Sequence, residues 1–185
     1  MSELDAMQTT RLLASASWFA ADSHKAQKRK GAAGEPYINH LAEVAELVAE
    51  ATGGCDPELV AAAYLHDVVE DTAVTHGDLV ERFGQEVADL VAEVTDDKSL
   101  PKAERKRLQV EHAPKLSRRA KILKLADKTS NLRALAESPP ADWTKQRRRD
   151  YVSWGRDVVA GLRGTCPWLE ERFDEAAAAA ERAIG

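Results

Sequence analysis

The stretch Leu59-Val-Ala-Ala-Ala-Tyr-Leu-His66-Asp67-Val-Val-Glu70-Asp71 constrains this chain more than any other. From Leu59 to Val69 every side chain is apolar, aromatic or small except one adjacent imidazole and carboxylate. Any fold must bury this run, and a lone carboxylate in such surroundings is costly unless a cation compensates it. A metal ion is the simplest compensation. The spacing predicts a helix from Pro57 to Asp71, with Asp56 as N-cap, Pro57 at the first helical position, and Ala, Leu and Glu supplying favourable propensity. On that helix Glu70 lies one turn beyond His66, and Asp71 one turn beyond Asp67. Four acid or imidazole groups are thereby gathered near one helix end.

The rest of the chain also reads as helix. Apolar residues recur at helical spacing, and there is no alternating strand-like segment, no internal repeat and no linker long enough to split the chain. A first helix is predicted over about 4–25, with Leu12, Leu13, Ala16, Phe19 and Ala20 as its apolar positions. The basic segment Lys28-Arg-Lys-Gly-Ala-Ala-Gly-Glu-Pro36 then reads as a loop. A second helix, about 37–51, is stopped by Gly53-Gly54. Thr75 with Asp78 forms a capping-box pattern for a short helix that Gly84 closes, and another follows over 85–94. Residues 102–112 are charged nearly all round, which predicts a helix on the surface or over a pocket mouth. Ser117 caps a longer helix to about Glu137, ended by Pro139-Pro140, and two more are predicted over about 142–162 and 167–184. The expected architecture is all-α, a compact bundle of eight or nine helices forming one domain over residues 1–185.

Composition narrows the function classes. A formal charge of −5 argues against bulk nucleic-acid binding, although local basic clusters can serve a small anion. The two cysteines, Cys55 and Cys166, lack a CxxC spacing, so neither a thiolate metal site nor a disulfide framework is suggested. No stretch approaches the roughly 18 apolar residues of a membrane span, and no leader pattern is seen. A soluble cytoplasmic protein with no membrane partner is expected. Trp143, Trp154 and Trp168 are read as core aromatics.

Two more residues share the oddity of His66. His40 sits in the row of Val44 and Leu47, and Asp127 follows Ile122-Leu-Lys-Leu-Ala126 in the row of Leu123, so both interrupt faces that otherwise read as buried. Taken singly, each has a bland reading as a hydrogen-bonded core histidine or a solvated aspartate. Their coincidence with His66-Asp67 changes the picture. His40, His66-Asp67 and Asp127 form an H…HD…D pattern that resembles the HD-domain metal-dependent phosphohydrolases. Within that superfamily the chain is similar to the hydrolases of the RelA/SpoT alarmone enzymes, especially the small stand-alone Mesh-type. The strings that carry the likeness are Gly34-Glu-Pro-Tyr-Ile-Asn-His40, His66-Asp-Val-Val-Glu-Asp-Thr72, the run Val94 to Glu111, and Lys124-Leu-Ala-Asp-Lys-Thr-Ser-Asn-Leu-Arg133. The sequence departs at Leu41, where relatives often have proline, and at Thr129-Ser130, which replaces a bulkier pair.

The resemblance implies a single divalent ion, Mn²⁺, held by His40, His66, Asp67 and Asp127. Two imidazoles and two carboxylates suit a hard or borderline ion, and six-coordination would leave two positions for water and a substrate oxygen. Glu70 assisted by Asp71 would hold and deprotonate the attacking water; the alternative is an acidic helix end in solvent, which the helix dipole disfavours. The implied substrate is guanosine tetra- or pentaphosphate, cut at the ribose 3′ oxygen to release pyrophosphate and GDP or GTP. Arg29 and Lys30 by motif, then Lys102, Arg147 and Tyr151, are the candidate phosphate-pocket groups, and Asn131 is placed to bond sugar or base. Removal of the 2′-phosphate of NADPH, another nucleotide phosphohydrolysis, and a non-catalytic nucleotide-binding module stand as alternatives. No synthetase-like segment follows the helical domain in this sequence, so alarmone synthesis is not expected.

Overall fold

A computed structural model describes residues 3–185, and its regular elements are helices. They are α1 (Glu3–Ser23), α2 (Ile38–Thr52), α3 (Pro57–Leu65), α4 (Val68–Asp71), α5 (His76–Phe83), α6 (Gln85–Val94), α7 (Lys102–His112), α8 (Arg118–Glu137), α9 (Lys145–Ala160) and α10 (Pro167–Ile184), with a 3-10 turn at Ala113–Lys115. Among the described residues the only β-type pairing is an isolated bridge between Lys28 and Pro36. The all-α class is as expected. The continuous helix expected over 57–71 is not: it is interrupted at His66 and Asp67, and counting α3 with α4 as one interrupted helix gives nine. Two compact units divide the chain. The first takes in the residues up to Gln27 and Tyr37–Thr95, the second Lys28–Pro36 and Asp96–Gly185.

In the first unit α3 is the central element, packed by α1, α2 and α6. Its sequence explains this, because Leu59, Val60, Ala61, Ala62, Ala63 and Leu65 are all buried and only the alanines' small side chains separate much of its backbone from its neighbours. Burial of Leu59 and of Leu65 contributes roughly 1.5–3 kcal/mol each. The Asp56 side chain accepts from the Leu59 N–H at 3.1 Å and starts the helix where the sequence predicts. On α2 the buried face is His40, Leu41, Val44, Ala45, Leu47 and Val48, so the imidazole indeed lies in the apolar row. The Thr75–Asp78 capping box closes in both directions and opens α5. Gly84, at φ +87°, forms the corner between α5 and α6, a conformation that favours glycine.

The second unit is built on α8, which packs mainly against α10 and also against α9, while α7 packs on α9. None of the residues of α7 is buried, in keeping with its all-round charge. Along α8 the buried residues run through Asp127, Lys128, Thr129 and Ser130 without a break, an unusual polar quartet inside a helix. The segment Lys28–Pro36 is ordered against the far end of α8: the Ala33 N–H donates to Ser138 Oγ at 3.0 Å. A Cβ at Gly31 would run into the backbone oxygen of Ser138, so this approach requires glycine. Trp143 and Trp154 are half-buried and Trp168 is 40% exposed, which corrects the expectation that they are core aromatics. The core of the described residues is aliphatic instead, with Phe173 the largest fully buried side chain.

Candidate active site

The helix stops after Leu65 and resumes at Val68. At this point the Ala63 carbonyl accepts from the ring Nδ1 of His66 at 2.7 Å. A side chain that captures a backbone acceptor competes with the helix. Residues 66 and 67 form a turn, and α4 restarts with the N–H of Asp71 donating to the Asp67 carbonyl. The turn brings the two side chains round to one side, where His40 meets them from α2.

A carbonyl can only accept, so His66 Nδ1 carries the hydrogen, and in the neutral ring Nε2 presents its lone pair. That lone pair faces Asp67 Oδ2 at 3.2 Å, and His40 Nε2 is 3.7 Å from the same oxygen. The imidazole rings of His40 and His66 meet edge to face at 5.3 Å. Ligand atoms of His40, His66 and Asp67 all lie within 4.8 Å of one another, in a setting where both histidines are almost wholly buried. A cation among these acceptors turns a repulsive arrangement into an attractive one, and two nitrogens with a carboxylate oxygen suit a borderline divalent ion. The residues present therefore fit a metal.

Asp67 Oδ2 has a further partner, Tyr37, whose hydroxyl donates to it at 2.6 Å. Outer hydrogen bonds of this kind orient a metal-binding carboxylate. The sequence reading missed Tyr37, although it stands in the Gly34-to-His40 string and three residues before a candidate ligand. It also missed Gln27, whose amide donates to Asp71 Oδ2 at 2.8 Å. Glu70 and Asp71 both belong to α4, Glu70 half-buried and Asp71 exposed.

The remaining candidates lie in the second unit. Asp127 is buried on α8, where Lys128 Nζ donates to Oδ2 at 3.1 Å and Asn131 Nδ2 to Oδ1 at 2.6 Å. Burial is the largest influence on the Lys128 ammonium and works against it, but Asp127, Tyr151 and Asp96 together outweigh it and hold the lysine above its ordinary pKa. Arg29 reaches back from the loop, its guanidinium 3.5 Å from Asn131 Oδ1. Partial desolvation, then the like charges of Arg147, Lys30 and Arg105, push Lys102 below its ordinary value. Three aromatic rings line this basic region. Trp143 and Trp154 each lie 5.3 Å from Tyr151. Arg147 sits over Trp143 at 4.5 Å, while Lys106 and Lys128 sit over Trp154 at 4.4 and 4.6 Å. Arg29, Lys30, Lys102, Asn131, Arg147 and Tyr151 are thus all residues of one unit. Lys106 and Lys128 were missed because basic residues on a helix carry no spacing signal of their own, whereas Trp143 and Trp154 read as core aromatics in the sequence. The departure at Thr129-Ser130 is fully buried, with the Thr129 hydroxyl donating to the Leu125 carbonyl at 2.8 Å, so it alters packing inside the unit.

A family model described as the HD domain matches residues 16–163. The chain belongs to the HD-domain family. Among curated HD-domain relatives, the Xenopus tropicalis guanosine-3′,5′-bis(diphosphate) 3′-pyrophosphohydrolase MESH1 is 50% identical over 163 residues, covering 88% of this chain and 91% of that protein. The Homo sapiens MESH1 is 50% identical over 153 residues, covering 83% and 86%. The bifunctional (p)ppGpp synthase/hydrolase SpoT of Escherichia coli K12 is 39% identical over 135 residues, 70% of this chain but 18% of that protein. A solved structure of a metazoan SpoT ortholog, described as hydrolysing ppGpp, superposes with a TM-score of 0.87 at 44% identity, covering 94% of this chain and 97% of that one. No helix of the described residues is long and apolar enough to cross a membrane.

Proposed function

We propose that the chain is a guanosine-3′,5′-bis(diphosphate) 3′-pyrophosphohydrolase that uses Mn²⁺, held by His40, His66, Asp67 and Asp127. The convergence of His40, His66 and Asp67 carries this reading, in a chain half identical to proteins named for that activity. Asp127 joins the set as the last letter of the H…HD…D pattern.

When bound, the ion would polarise a phosphoryl oxygen and make a water acidic at neutral pH. The chain's own groups do the rest. Glu70 holds the attacking water and takes its proton, with Asp71 beside it. The water oxygen joins the phosphorus next to the ribose, the bond from that phosphorus to O3′ breaks, and O3′ leaves as a hydroxyl with a proton taken from solvent, to which Glu70 returns its own. GDP or GTP and pyrophosphate are the products. Arg29, Lys30, Lys102 and Arg147 supply positive charge for the phosphates, which an acidic chain needs locally. Asn131 bonds the sugar or base, and Tyr151 packs with Trp143 and Trp154 at the rim of the basic region.

The test is to strip the purified protein with chelator, restore Mn²⁺ or other divalent ions, and compare substrates. Pyrophosphate release from guanosine-3′,5′-bis(diphosphate) is set against phosphate release from NADPH and from simple nucleotides. Metal-dependent pyrophosphate release, lost in His66→Ala and in Asp127→Ala, is expected. Parental activity in both variants would refute the ligand set, and faster turnover of NADPH would transfer the assignment to the 2′-phosphatase reaction.

A further inference from the structure

We propose that His24, a buried residue with no part in the pattern above, is a positioning residue that holds both Asp67 and Asp71 in place. The inference rests on the reading of Asp67 as a metal ligand and of Asp71 as part of the proton-handling pair.

His24 follows the last residue of α1 and is 2% exposed. Two arms leave its ring. In the first, Nδ1 lies 2.7 Å from Gln27 Oε1, and Gln27 Nε2 lies 2.8 Å from Asp71 Oδ2. A carboxylate only accepts, so the amide turns its NH₂ to Asp71 and its carbonyl to His24, and His24 Nδ1 must be the donor. One hydrogen at Nδ1 therefore sets the orientation of the amide that grips Asp71. In the second arm the His24 ring stacks on Tyr37 at 5.1 Å and 29°, and the Tyr37 hydroxyl donates to Asp67 Oδ2. Tyr37 also meets His40 in a T-shaped ring contact at 5.5 Å. Backbone bonds lock the same three residues together, since the Gln27 N–H donates to the His24 carbonyl and the Tyr37 N–H to the Gln27 carbonyl.

Packing alone does not explain an imidazole at this point. His24 Nε2 is buried and has no hydrogen-bond partner, a cost that a phenylalanine or leucine of similar size would not bear. The imidazole supplies what those residues lack, a ring face for Tyr37 and a donor for Gln27 in one side chain. Its effect is preorganisation: the two carboxylates are fixed before metal or substrate arrives, so ordering them costs nothing at that moment.

The arms can be cut separately. His24→Phe keeps the stacked ring and removes the donor. His24→Asn keeps a donor near the Nδ1 position and removes the ring. Gln27→Leu breaks the first arm at a half-buried position without touching the buried ring. For each variant Mn²⁺ affinity of the metal-free protein is measured by calorimetry, kcat and KM for guanosine-3′,5′-bis(diphosphate) by pyrophosphate release, and Tm by circular dichroism. His24→Phe and Gln27→Leu should each lower kcat about tenfold or more with Mn²⁺ affinity little changed, and the double variant should be no worse than either. His24→Asn should weaken Mn²⁺ binding about tenfold and spare kcat at saturating metal. Loss of Tm alone, with Mn²⁺ affinity and kcat per folded molecule at parental values in all three, would overturn the proposal. Should His24→Phe not fold, Gln27→Leu reads the same arm. Asp71→Asn separates the two levels: if it is inactive while Gln27→Leu is fully active, only the positioning claim fails, and if it keeps the parental kcat the underlying reading fails with it.

Discussion

Tyr37 donates its phenolic hydrogen to Asp67 Oδ2 at 2.6 Å, from 30 positions away in the chain. The bond orients the carboxylate oxygen that both candidate histidine ligands face, and it makes Tyr37 the first residue to alter. Tyr37→Phe keeps the ring contacts with His24 and His40 and removes only the hydroxyl. Mn²⁺ affinity of the metal-free protein should fall about tenfold while Tm changes little. Isothermal titration beside a melting curve checks both, and parental affinity would show that Asp67 is held by other means.

Glu70 should separate metal binding from turnover. Glu70→Gln keeps size and hydrogen bonding but cannot take a proton, so kcat should drop by roughly 10²- to 10⁴-fold, the usual worth of a general base. Metal content by atomic absorption should stay at the parental level. An undiminished rate would remove Glu70 from the mechanism.

Lys102 offers a pH dependence with a definite sign. Partial desolvation, and then Arg147, Lys30 and Arg105, hold its folded value below the ordinary 10.5. The folded state therefore binds this proton less well than the unfolded chain does. Its charge penalises folding below the folded value, and the penalty fades as pH rises from there toward 10.5. Lys102→Met removes the penalty, so Tm at neutral pH should rise slightly. KM for the polyanionic substrate should rise several-fold with kcat nearly unchanged, as expected of a group that binds phosphate without reacting. A lower Tm or an unchanged KM would contradict this account.

The central helix predicts a contrast in stability. Leu59 is fully buried on α3, whereas Trp18 on α1 is 69% exposed. Leu59→Ala should cost about 2–5 kcal/mol by denaturant unfolding, through lost burial and the cavity left behind. Trp18→Ser should lie within about 0.5 kcal/mol of the parent. Equal costs would mean that α3 is not the element on which the first unit is built.

The H…HD…D pattern and the helices were legible because their causes are local. Asp56 and Leu59, Thr75 and Asp78, and Ser117 and Ala120 are each three residues apart, and caps act over that distance. His40 and Asp127 could be picked out because a polar side chain in an apolar helical row is visible without knowing what packs against it. The break at His66 was not legible. Uninterrupted helix propensity predicts continuity, whereas in the structure the His66 ring bonds the Ala63 carbonyl where the helix stops.

What the sequence determined by itself was the order of the helices, their buried faces and the chemical identity of the candidate ligands, since these follow from spacing and side-chain type. Tertiary structure alone decided which distant groups support them. Gln27 reaches Asp71 across 44 positions, and His24 and Tyr37 join only because α1 and the start of α2 are folded against each other. Hydrogen bonds and ring contacts act over a few ångströms of space whatever the separation along the chain, so no periodicity records them.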